Sequence, residues 1–209
     1  VPLPRPQSFM RTASVGSILK AVSKLPLSAR GKMEAWELDR HDVKLHEAIG
    51  SGQTGCVYRA TWRRLECAAK VLHKNVGKDS TAYKDMMHEI RIISRLRHPN
   101  LVLFLGACSS ADAPPLILTE YMLGGSLDQK YGKMRAHLCQ PWRPPRGQVL
   151  RWTRDLTRAL AFLHSCKPTV VHRDLKPANL LLTDTDSLKI GDFGLCKTLQ
   201  LGKDGTEGG

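Results

Sequence analysis

The motifs HRDLKPAN, from His172 to Asn179, and GDFG, from Gly191 to Gly194, give the clearest indication of how this chain folds. Asp192 lies eighteen residues beyond Asp174, so two separate short segments each carry an aspartate. The Asp192 carboxylate and the Asn179 amide carry hard oxygen atoms of the kind that Mg²⁺ prefers. We therefore predict that the two segments are loops that converge on one site.

A glycine cluster, GSGQTG, lies more than a hundred residues upstream. Its glycines Gly50, Gly52 and Gly55 form GxGxxG, and glycine lets backbone amides approach phosphates closely. The flanking segments Val43–Ile49 and Val57–Trp62 alternate as strands do. Because a strand and not a helix follows the glycines, the pattern favours a flap between antiparallel strands over a dinucleotide-binding turn. A plain hairpin loop is the alternative.

Lys70 and Glu89 are charged residues in apolar surroundings. Lys70 shares one face of the predicted strand Glu66–Leu72 with apolar neighbours, and Glu89 lies at the edge of the apolar stripe of the predicted helix Thr81–Arg97. Burying either charge unpaired would cost several kcal/mol. We therefore expect an ion pair that aims the Lys70 ammonium at a phosphate under the flap. The alternative is that Lys70 reaches solvent and Glu89 lies on the exposed side.

Further elements follow in the order strands first and helices second. Leu101–Leu105 and Leu116–Thr119 read as strands, and Gln148–Ser165 reads as a helix. Between them, Asp128–Arg146 contains CQPWRPPRG, which is proline-broken and basic and is interpreted as a surface insertion. The first 32 residues are basic and proline-containing and are interpreted as a flexible arm, with order beginning near Trp36.

Composition narrows the class of protein. The 209 residues suffice for one domain, 42% are hydrophobic and 24% charged, and no apolar run is long enough to span a bilayer. The net charge of +13 would attract nucleic acid, anionic membrane or phosphorylated ligands without choosing among them. The six cysteines are scattered without metal-ligand spacing, which favours reduced thiols inside the cell. We expect a cytoplasmic protein.

From about Trp36 to Leu199 the sequence resembles the eukaryotic protein kinase family, and HPNLVLFLGAC and LTEYMLGGSL are similar to its tyrosine-kinase-like, Raf-like serine/threonine kinases. The resemblance implies an α+β, two-lobed fold. Residues 1–35 would be the basic arm, 36–122 a small lobe of antiparallel sheet plus one helix with the hinge, and 123–209 a mainly helical large lobe. The APE motif expected after DFG is not found, so the large lobe is expected to be incomplete.

The resemblance also implies site residues and cofactors, namely ATP and Mg²⁺. Asp174 would orient the substrate hydroxyl, Lys176 would steady the transferring phosphoryl group, and Thr119 would be the gatekeeper. The catalytic set is Asp174, Lys70, Glu89 and Lys176, and the metal ligands are Asn179 and Asp192. The implied nucleotide-binding set is Ile49, Gly50, Gly52, Gly55, Val57, Ala68, Lys70, Thr119, Glu120, Met122 and Leu181. A regulatory stack would contain Ile93, Phe104, His172 and Phe193.

The function implied is transfer of the γ-phosphate of ATP to a serine or threonine hydroxyl of a protein substrate, and Lys176 is the residue that favours these hydroxyls over tyrosine. The chain could itself be inactive, and the alternative is a catalytically weak nucleotide-binding scaffold. An upstream kinase is a possible partner. Binding of nucleic acid through the basic arm rests on charge alone and is not favoured.

Overall fold

An antiparallel sheet of five strands forms the first part of the protein. The computed structural model describes residues 27–52, 55–73, 76–109 and 114–199. The strands are β1 (Val43–Ser51), β2 (Gly55–Trp62), β3 (Leu65–Leu72), β4 (Phe104–Cys108) and β5 (Leu116–Glu120), in the sheet order β1-β2-β3-β5-β4. β4 begins three residues later than predicted.

The register of this sheet positions Lys70 in its middle. On β3, Lys70 is paired with Val57 of β2 on one side and with Ile117 of β5 on the other. Because side chains alternate along a strand, Lys70 lies on the opposite face from Ala69, which is fully buried. One face of the sheet therefore closes a small core, and the other faces a cleft.

The helix α1 (Leu27–Met33) precedes the sheet, so regular structure begins before Trp36, the predicted start of order. Residues 1–26 of the predicted flexible arm lie outside the described residues. Its Arg30 is only 3% exposed and donates hydrogen bonds to the Ser94 hydroxyl at 2.7 Å and to Glu34 at 3.1 Å. The guanidinium also lies 5.7 Å from the centroid of the Trp36 ring. Of these contacts, the one with Ser94 joins residues 64 positions apart and fixes α1 to the end of the helix that follows β3.

The helix α2 (Thr81–Ile93) carries Glu89 beside the sheet. Ser80 caps its first turn by accepting from the Tyr83 amide at 3.2 Å. The helix ends at Ile93 and not at Arg97 as predicted. The Arg97 guanidinium explains the difference, because it donates to the carbonyls of Ile93, Ser94 and Leu96, which a helix end leaves without partners.

The second lobe consists of two longer helices and short strand pairs. Its elements are β6 (Gly125–Ser126), α3 (Leu127–Leu138), α4 (Arg146–Ser165), β7 (Thr169–Val171), β8 (Leu180–Leu182), β9 (Leu188–Ile190) and β10 (Lys197–Leu199). The strands form the sheets β6-β8-β9 and β7-β10. The predicted α+β fold with two lobes is confirmed, and no helix in the described ranges is long and apolar enough to cross a membrane.

The helix α3 corrects the interpretation of Asp128–Arg146 as an insertion. Ser126 accepts from the Gln129 amide at 3.1 Å, and the Gln129 side chain accepts from the Ser126 amide at 3.0 Å. This reciprocal capping box starts a helix that contributes no buried residue to the core. The stretch is thus exposed, as expected, but its first half is helical.

A continuous core joins the two lobes. One cluster of buried residues includes Leu72 and Ile90 of the first lobe together with Leu163, Ile190 and Phe193 of the second. The β9 strand connects the lobes again, because Val102 donates to the Ile190 carbonyl at 2.9 Å and Ile190 donates to the Asn100 carbonyl at 2.9 Å. The segment after β9, which carries Asp192, is thereby held under the first lobe.

Candidate functional site

Three charges from three different elements meet between the lobes. The Lys70 ammonium of β3 donates to Glu89 Oε2 of α2 at 2.7 Å and to Asp192 Oδ1 of the GDFG loop at 2.8 Å. The Lys70 side chain keeps 34% exposure, whereas that of Glu89 keeps only 5%. The alternative in which Lys70 points into solvent and Glu89 is exposed is therefore wrong. The Lys70 ammonium is held by two carboxylates between the lobes.

The electrostatics of these three residues depend on one another. Burial alone would lower the pKa of Lys70, but the carboxylates of Glu89 and Asp192 outweigh burial and raise it. Burial raises the pKa of Glu89 against the opposing effect of the ammonium. Burial would also raise the pKa of Asp192, but Lys70 outweighs it, so that pKa is lowered. At neutral pH, Lys70 is a cation and Asp192 an anion.

The loop around Asp192 passes close to the ion pair. Asp192 has φ +57°, a left-handed conformation that is uncommon for residues other than glycine, although aspartate adopts it more readily than most. A Cβ added to Gly194 would lie 3.4 Å from both Asp192 Oδ1 and Glu89 Oε2. These are ordinary van der Waals distances, so position 194 lies directly beside the ion pair, but packing does not by itself require glycine there.

The HRDLKPAN loop places Asp174 through His172 and Asn179. His172 is 2% exposed. Its Nε2 contacts the Gly191 carbonyl at 3.1 Å, and its Nδ1 accepts from the Asp174 amide at 3.3 Å. These partners require a neutral ring protonated on Nε2, and burial lowers the pKa of His172 accordingly. Asn179 Nδ2 donates to the Asp174 backbone carbonyl at 2.8 Å and to its carboxylate at 2.9 Å.

Lys176 lies directly beside Asp174. Its ammonium donates to Asp174 Oδ2 at 2.8 Å. This hydrogen bond lowers the pKa of Asp174, with a further lowering by the bond from Asn179. Asp174 is thus ionised at neutral pH, and as a weak base it is better suited to orient a hydroxyl than to remove its proton early.

A cleft of about 710 Å³ opens between the sheet and the second lobe. This volume is in the range of small-molecule sites in proteins. Twelve of the residues predicted for the site line the cleft, namely Ile49, Gly50, Val57, Ala68, Lys70, Glu89, Thr119, Glu120, Met122, Asn179, Leu181 and Asp192. The other predicted residues, Gly52, Gly55, Asp174 and Lys176, are not part of its lining.

We call residues 49–57, at the tip of the β1–β2 hairpin, the roof. A Cβ added to Gly55 would lie 2.3 Å from the Val71 carbonyl oxygen of β3, so glycine is required there by packing. Among the described residues, the nearest atom to a Cβ added at Gly50 or Gly52 would lie 3.7 Å or 3.6 Å away. Packing does not explain these two glycines, whereas close approach of a ligand would.

We call residues 172–179 and 191–194 the floor. The His172 and Phe193 rings meet edge to face with centroids 5.4 Å apart. Ile93 and Phe104, predicted to stack with them, are also buried and belong with Phe193 to the core that joins the lobes. The floor is thus continuous with that core.

Sequence reasoning assigned Glu120 a backbone contact and missed the role of its side chain. The carboxylate accepts from the Leu103 amide at 2.6 Å and from the Lys189 ammonium at 2.7 Å and 2.8 Å. These bonds connect the end of β5 to β9 across the back of the cleft. The partners are far apart in sequence, so no local signal could have found them.

Gln129 and Lys133 of α3 also line the cleft and were missed. Their helix was interpreted as an insertion, although the pattern S-x-x-Q from Ser126 to Gln129 is a sequence signal for a helix start. Lys133 adds a cation to the wall of the cleft.

The donor set fits a magnesium ion with a polyphosphate. Asn179 uses its amide nitrogen to bind Asp174, which leaves its carbonyl oxygen for another ligand. Asp192 supplies the carboxylate of this donor set, and its Oδ1 atom also accepts the hydrogen bond from Lys70. One carboxylate and one amide are too few for an all-protein cage, but Mg²⁺ is commonly bound by one or two carboxylates together with substrate phosphates and water. In the described ranges, no group of three or more His, Cys, Asp or Glu side chains could hold a metal.

Comparison with known proteins agrees with this geometry. The protein kinase domain matches the chain over residues 43–207. Serine/threonine-protein kinase VIK of Arabidopsis thaliana is 35% identical over 170 residues, which are 79% of this chain and 37% of the relative. Probable serine/threonine-protein kinase SIS8 of the same organism is 39% identical over 166 residues, which are 78% of this chain and 15% of the relative.

Dual specificity protein kinase shkA of Dictyostelium discoideum is also similar, with 35% identity over 176 residues, which are 82% of this chain and 32% of the relative. The chain spans less than half the length of each of these three relatives. The similarity therefore concerns a shared domain, and the Raf-like subgroup stays a prediction.

Proposed function

The chain belongs to the protein kinase family, and from this premise we propose that it transfers the γ-phosphoryl group of ATP to a serine or threonine hydroxyl of a protein substrate. One observation supports the proposal above all. The Lys70 ammonium, held between Glu89 and Asp192, lies at the inner end of a cleft of about 710 Å³. A fixed cation at this position suits the phosphates of a nucleotide.

The cleft offers separate surroundings for the base and for the phosphates. Val57 and Ala68 on the sheet side and Leu181 on the opposite side are apolar and line the cleft, which suits a flat adenine ring. The backbone between Glu120 and Met122 would supply polar contacts to the edge of the base. Lys70 would bind the phosphates, and Gly50 and Gly52 would let the roof approach them.

Asn179 and Asp192 would hold Mg²⁺ from the floor. Bound there with the nucleotide, the ion would neutralise charge that develops on the phosphates. The ion pair with Lys70 keeps Asp192 ionised and fixed in direction. The hydrogen bonds of Asn179 to Asp174 fix the amide with its carbonyl oxygen turned away from Asp174.

Asp174 would accept the substrate hydroxyl and orient it toward the transferring group. Its carboxylate is held by Lys176 and Asn179 together, so its direction is set before a substrate arrives. Lys176 would stabilise charge on the transferring phosphoryl group, because its ammonium lies within hydrogen-bond distance of Asp174. Positioning and electrostatics would thus supply most of the rate enhancement.

Preference for serine and threonine over tyrosine is the finer part of the proposal. Lys176 motivates it, and the similarity to kinases named for serine/threonine specificity supports it. A dual specificity kinase is similar to the same extent, so acceptors of both kinds belong in the test.

The test is label transfer from γ-labelled ATP by the 209-residue chain, with peptide libraries that contain either Ser and Thr or Tyr as the only hydroxyl acceptors. We expect transfer to the Ser/Thr library, and a drop of about 10²–10⁴-fold in Asp174→Asn. Asp184→Asn, which changes an exposed turn aspartate, is the matched control and should transfer as the wild type does.

Measuring nucleotide binding together with label transfer distinguishes an active kinase from a catalytically weak nucleotide-binding scaffold. Asp174→Asn should bind ATP as the wild type does, because Asp174 does not line the cleft. A wild-type chain that is thermally stabilised by ATP but transfers no label would favour the scaffold and contradict the proposed activity. Equal transfer by Asp174→Asn and wild type would refute the role of Asp174.

A further inference from the structure

The segment QPWRPPR, residues 140–146, has no part in the cleft. It connects α3 to α4 on the surface of the second lobe. We call it the proline segment. Its prolines Pro141 and Pro144 are spaced as Pro-x-x-Pro, and Arg146 follows the second of them by two positions.

Steric rules give the proline segment an extended conformation. The rings of Pro141, Pro144 and Pro145 fix φ near −65°, and a residue that precedes proline is excluded from the helical region. These two rules constrain every residue from Gln140 to Pro145 except Trp142. The structure agrees, since Pro145 has φ −54° and ψ 141°, close to the polyproline II values, and residues 141–145 belong to no helix or strand.

Trp142 attaches one edge of this extended segment to the protein. Its ring lies edge to face on Tyr131 of α3 with centroids 5.1 Å apart, and it packs against the core cluster around Trp152. A polyproline II helix has three residues per turn, so Pro141 and Pro144 share a second edge. Arg143 lies between these prolines, and Arg146 begins α4 directly after the extended residues. Pro141 and both arginines are exposed, and Pro144 is half-buried.

Stability of α4 does not explain Arg146. As the first residue of the helix it places a cation where the helix dipole disfavours one, the first turn contains no acidic residue, and Pro145 provides no side-chain cap. No ion pair among the described residues includes Arg143 or Arg146. Their guanidinium groups are available to an acidic partner.

We propose that the proline segment is a docking site for an SH3 domain of the kind that reads Pro-x-x-Pro-x-Arg. Such domains bind a preformed polyproline II ridge in a groove lined by aromatic residues, and a preformed ridge loses little conformational entropy on binding. Pro141 and Pro144 would enter the groove, and Arg146 would meet acidic residues at its end. Pro141 also borders a groove of about 500 Å³ beside α3, which leaves room around its ring.

The proposal also specifies on which side of the two prolines the SH3 domain requires a cation. The reverse motif, Arg-x-x-Pro-x-x-Pro, would need a cation at position 138, where the chain has Leu138. Only SH3 domains that require the cation after the second proline should therefore bind.

The experiment is calorimetric titration of the 209-residue chain with a panel of purified SH3 domains that select Pro-x-x-Pro-x-Arg peptides. One domain that selects Arg-x-x-Pro-x-x-Pro serves as the negative probe. We expect saturable one-to-one binding by a member of the panel and none by the negative probe. Pro141→Ala/Pro144→Ala and, separately, Arg146→Glu should each weaken binding by about tenfold or more.

Two control variants distinguish specific binding of the Pro-x-x-Pro-x-Arg motif from non-specific attraction to positive charge. Pro145→Ala changes a neighbouring proline that the spacing does not use, and Arg151→Glu reverses an exposed arginine on the same helix. Both should bind within about twofold of the wild type. Absence of binding across the panel would overturn the proposal, and so would equal weakening by Arg146→Glu and Arg151→Glu, which indicates non-specific charge attraction. Arg146→Glu keeps every proline, so the test remains decisive if the double proline variant fails to fold.

Discussion

The roof and the floor of the cleft are built in opposite ways. The three residues that β1 contributes to the roof, Ile49, Gly50 and Ser51, are all exposed. The floor contains His172 and Phe193, which are 2% and 0% exposed, and its polar groups are connected by hydrogen bonds from His172 and Asn179. The floor also holds Arg173 and Asp192 at positive φ, whereas no non-glycine residue of the described part of the roof has this conformation.

The difference in burial and hydrogen bonding indicates that the roof and the floor have different roles in the proposed function. The Asp174 and Asp192 carboxylates, which the proposed function requires in fixed directions, lie on a floor that is continuous with the core. The roof, which in the proposed function only has to cover phosphates, is exposed at Ile49, Gly50 and Ser51. Substitutions should accordingly affect stability in the floor and, apart from the packed Gly55, ligand affinity in the roof. The following predictions test this separation.

The largest effect on stability is expected from His172→Ala in the floor. The substitution leaves a cavity, and it removes the partners of the Gly191 carbonyl and the Asp174 amide. We expect the free energy of unfolding to fall by about 2–4 kcal/mol. Urea denaturation measures this, with His137→Ala on the exposed face of α3 as a control that should change it by less than about 0.5 kcal/mol. Equal losses in the two variants would mean that the floor is not rigidly held.

The second-largest effect on stability is expected from a substitution of Lys70, whose ammonium connects the five-stranded sheet to Glu89 of α2 and to Asp192 of the floor. Lys70→Met removes the ammonium that opposes the effect of burial on Glu89, so the pKa of Glu89 rises further in the folded state. The folded protein then retains a proton that the unfolded protein releases, and stability falls as pH rises. Relative to wild type, we expect a loss of about 2 kcal/mol at pH 8 and a smaller loss at pH 5.

Denaturation at the two pH values, without nucleotide or metal, measures this difference. Lys44→Met changes an exposed lysine of β1 and should show no such dependence on pH. A loss in Lys70→Met of the same size at both pH values would contradict the ion pair between Lys70 and Glu89.

The smallest effect separates the roof glycines from one another. Gly55→Ala should lower the free energy of unfolding by about 1–2 kcal/mol, because its Cβ collides with the backbone of β3. Gly50→Ala should leave stability within about 0.5 kcal/mol of the wild type but weaken ATP binding severalfold. Thermal melting and ATP titration of both variants measure the two quantities. Gly50→Ala with unchanged ATP affinity would show that the roof does not approach the phosphates.

The floor and the strands beside the cleft were accessible to sequence reasoning. The spacing of Asp174, Asn179 and Asp192, together with the alternation around Lys70, predicted which residues would meet. Lys70 and Glu89 in addition are charges in apolar patterns, and such charges need partners. Such local conflicts between pattern and chemistry can be read without a structure.

Some of the errors arose where stability comes from contacts distant in sequence. α1 forms because Arg30 reaches Ser94, which is 64 residues away. The bonds of Glu120 to Leu103 and Lys189 are of the same kind. α2 ends early for a local reason, because Arg97 turns back onto carbonyls one to four residues before it. α3 differs, since its capping box is visible in the sequence and was obscured only by the prolines that follow it.

The central claim is that Asp192 and Lys70 together receive a metal-bound nucleotide, and ATP titration with and without Mg²⁺ tests it most directly. The wild-type chain should bind ATP at least about tenfold more tightly with Mg²⁺ than in EDTA, and Asp192→Asn should lose this gain while the control Asp184→Asn keeps it. Binding of ATP with the same affinity in Mg²⁺ and in EDTA, or an unchanged gain in Asp192→Asn, would contradict the claim.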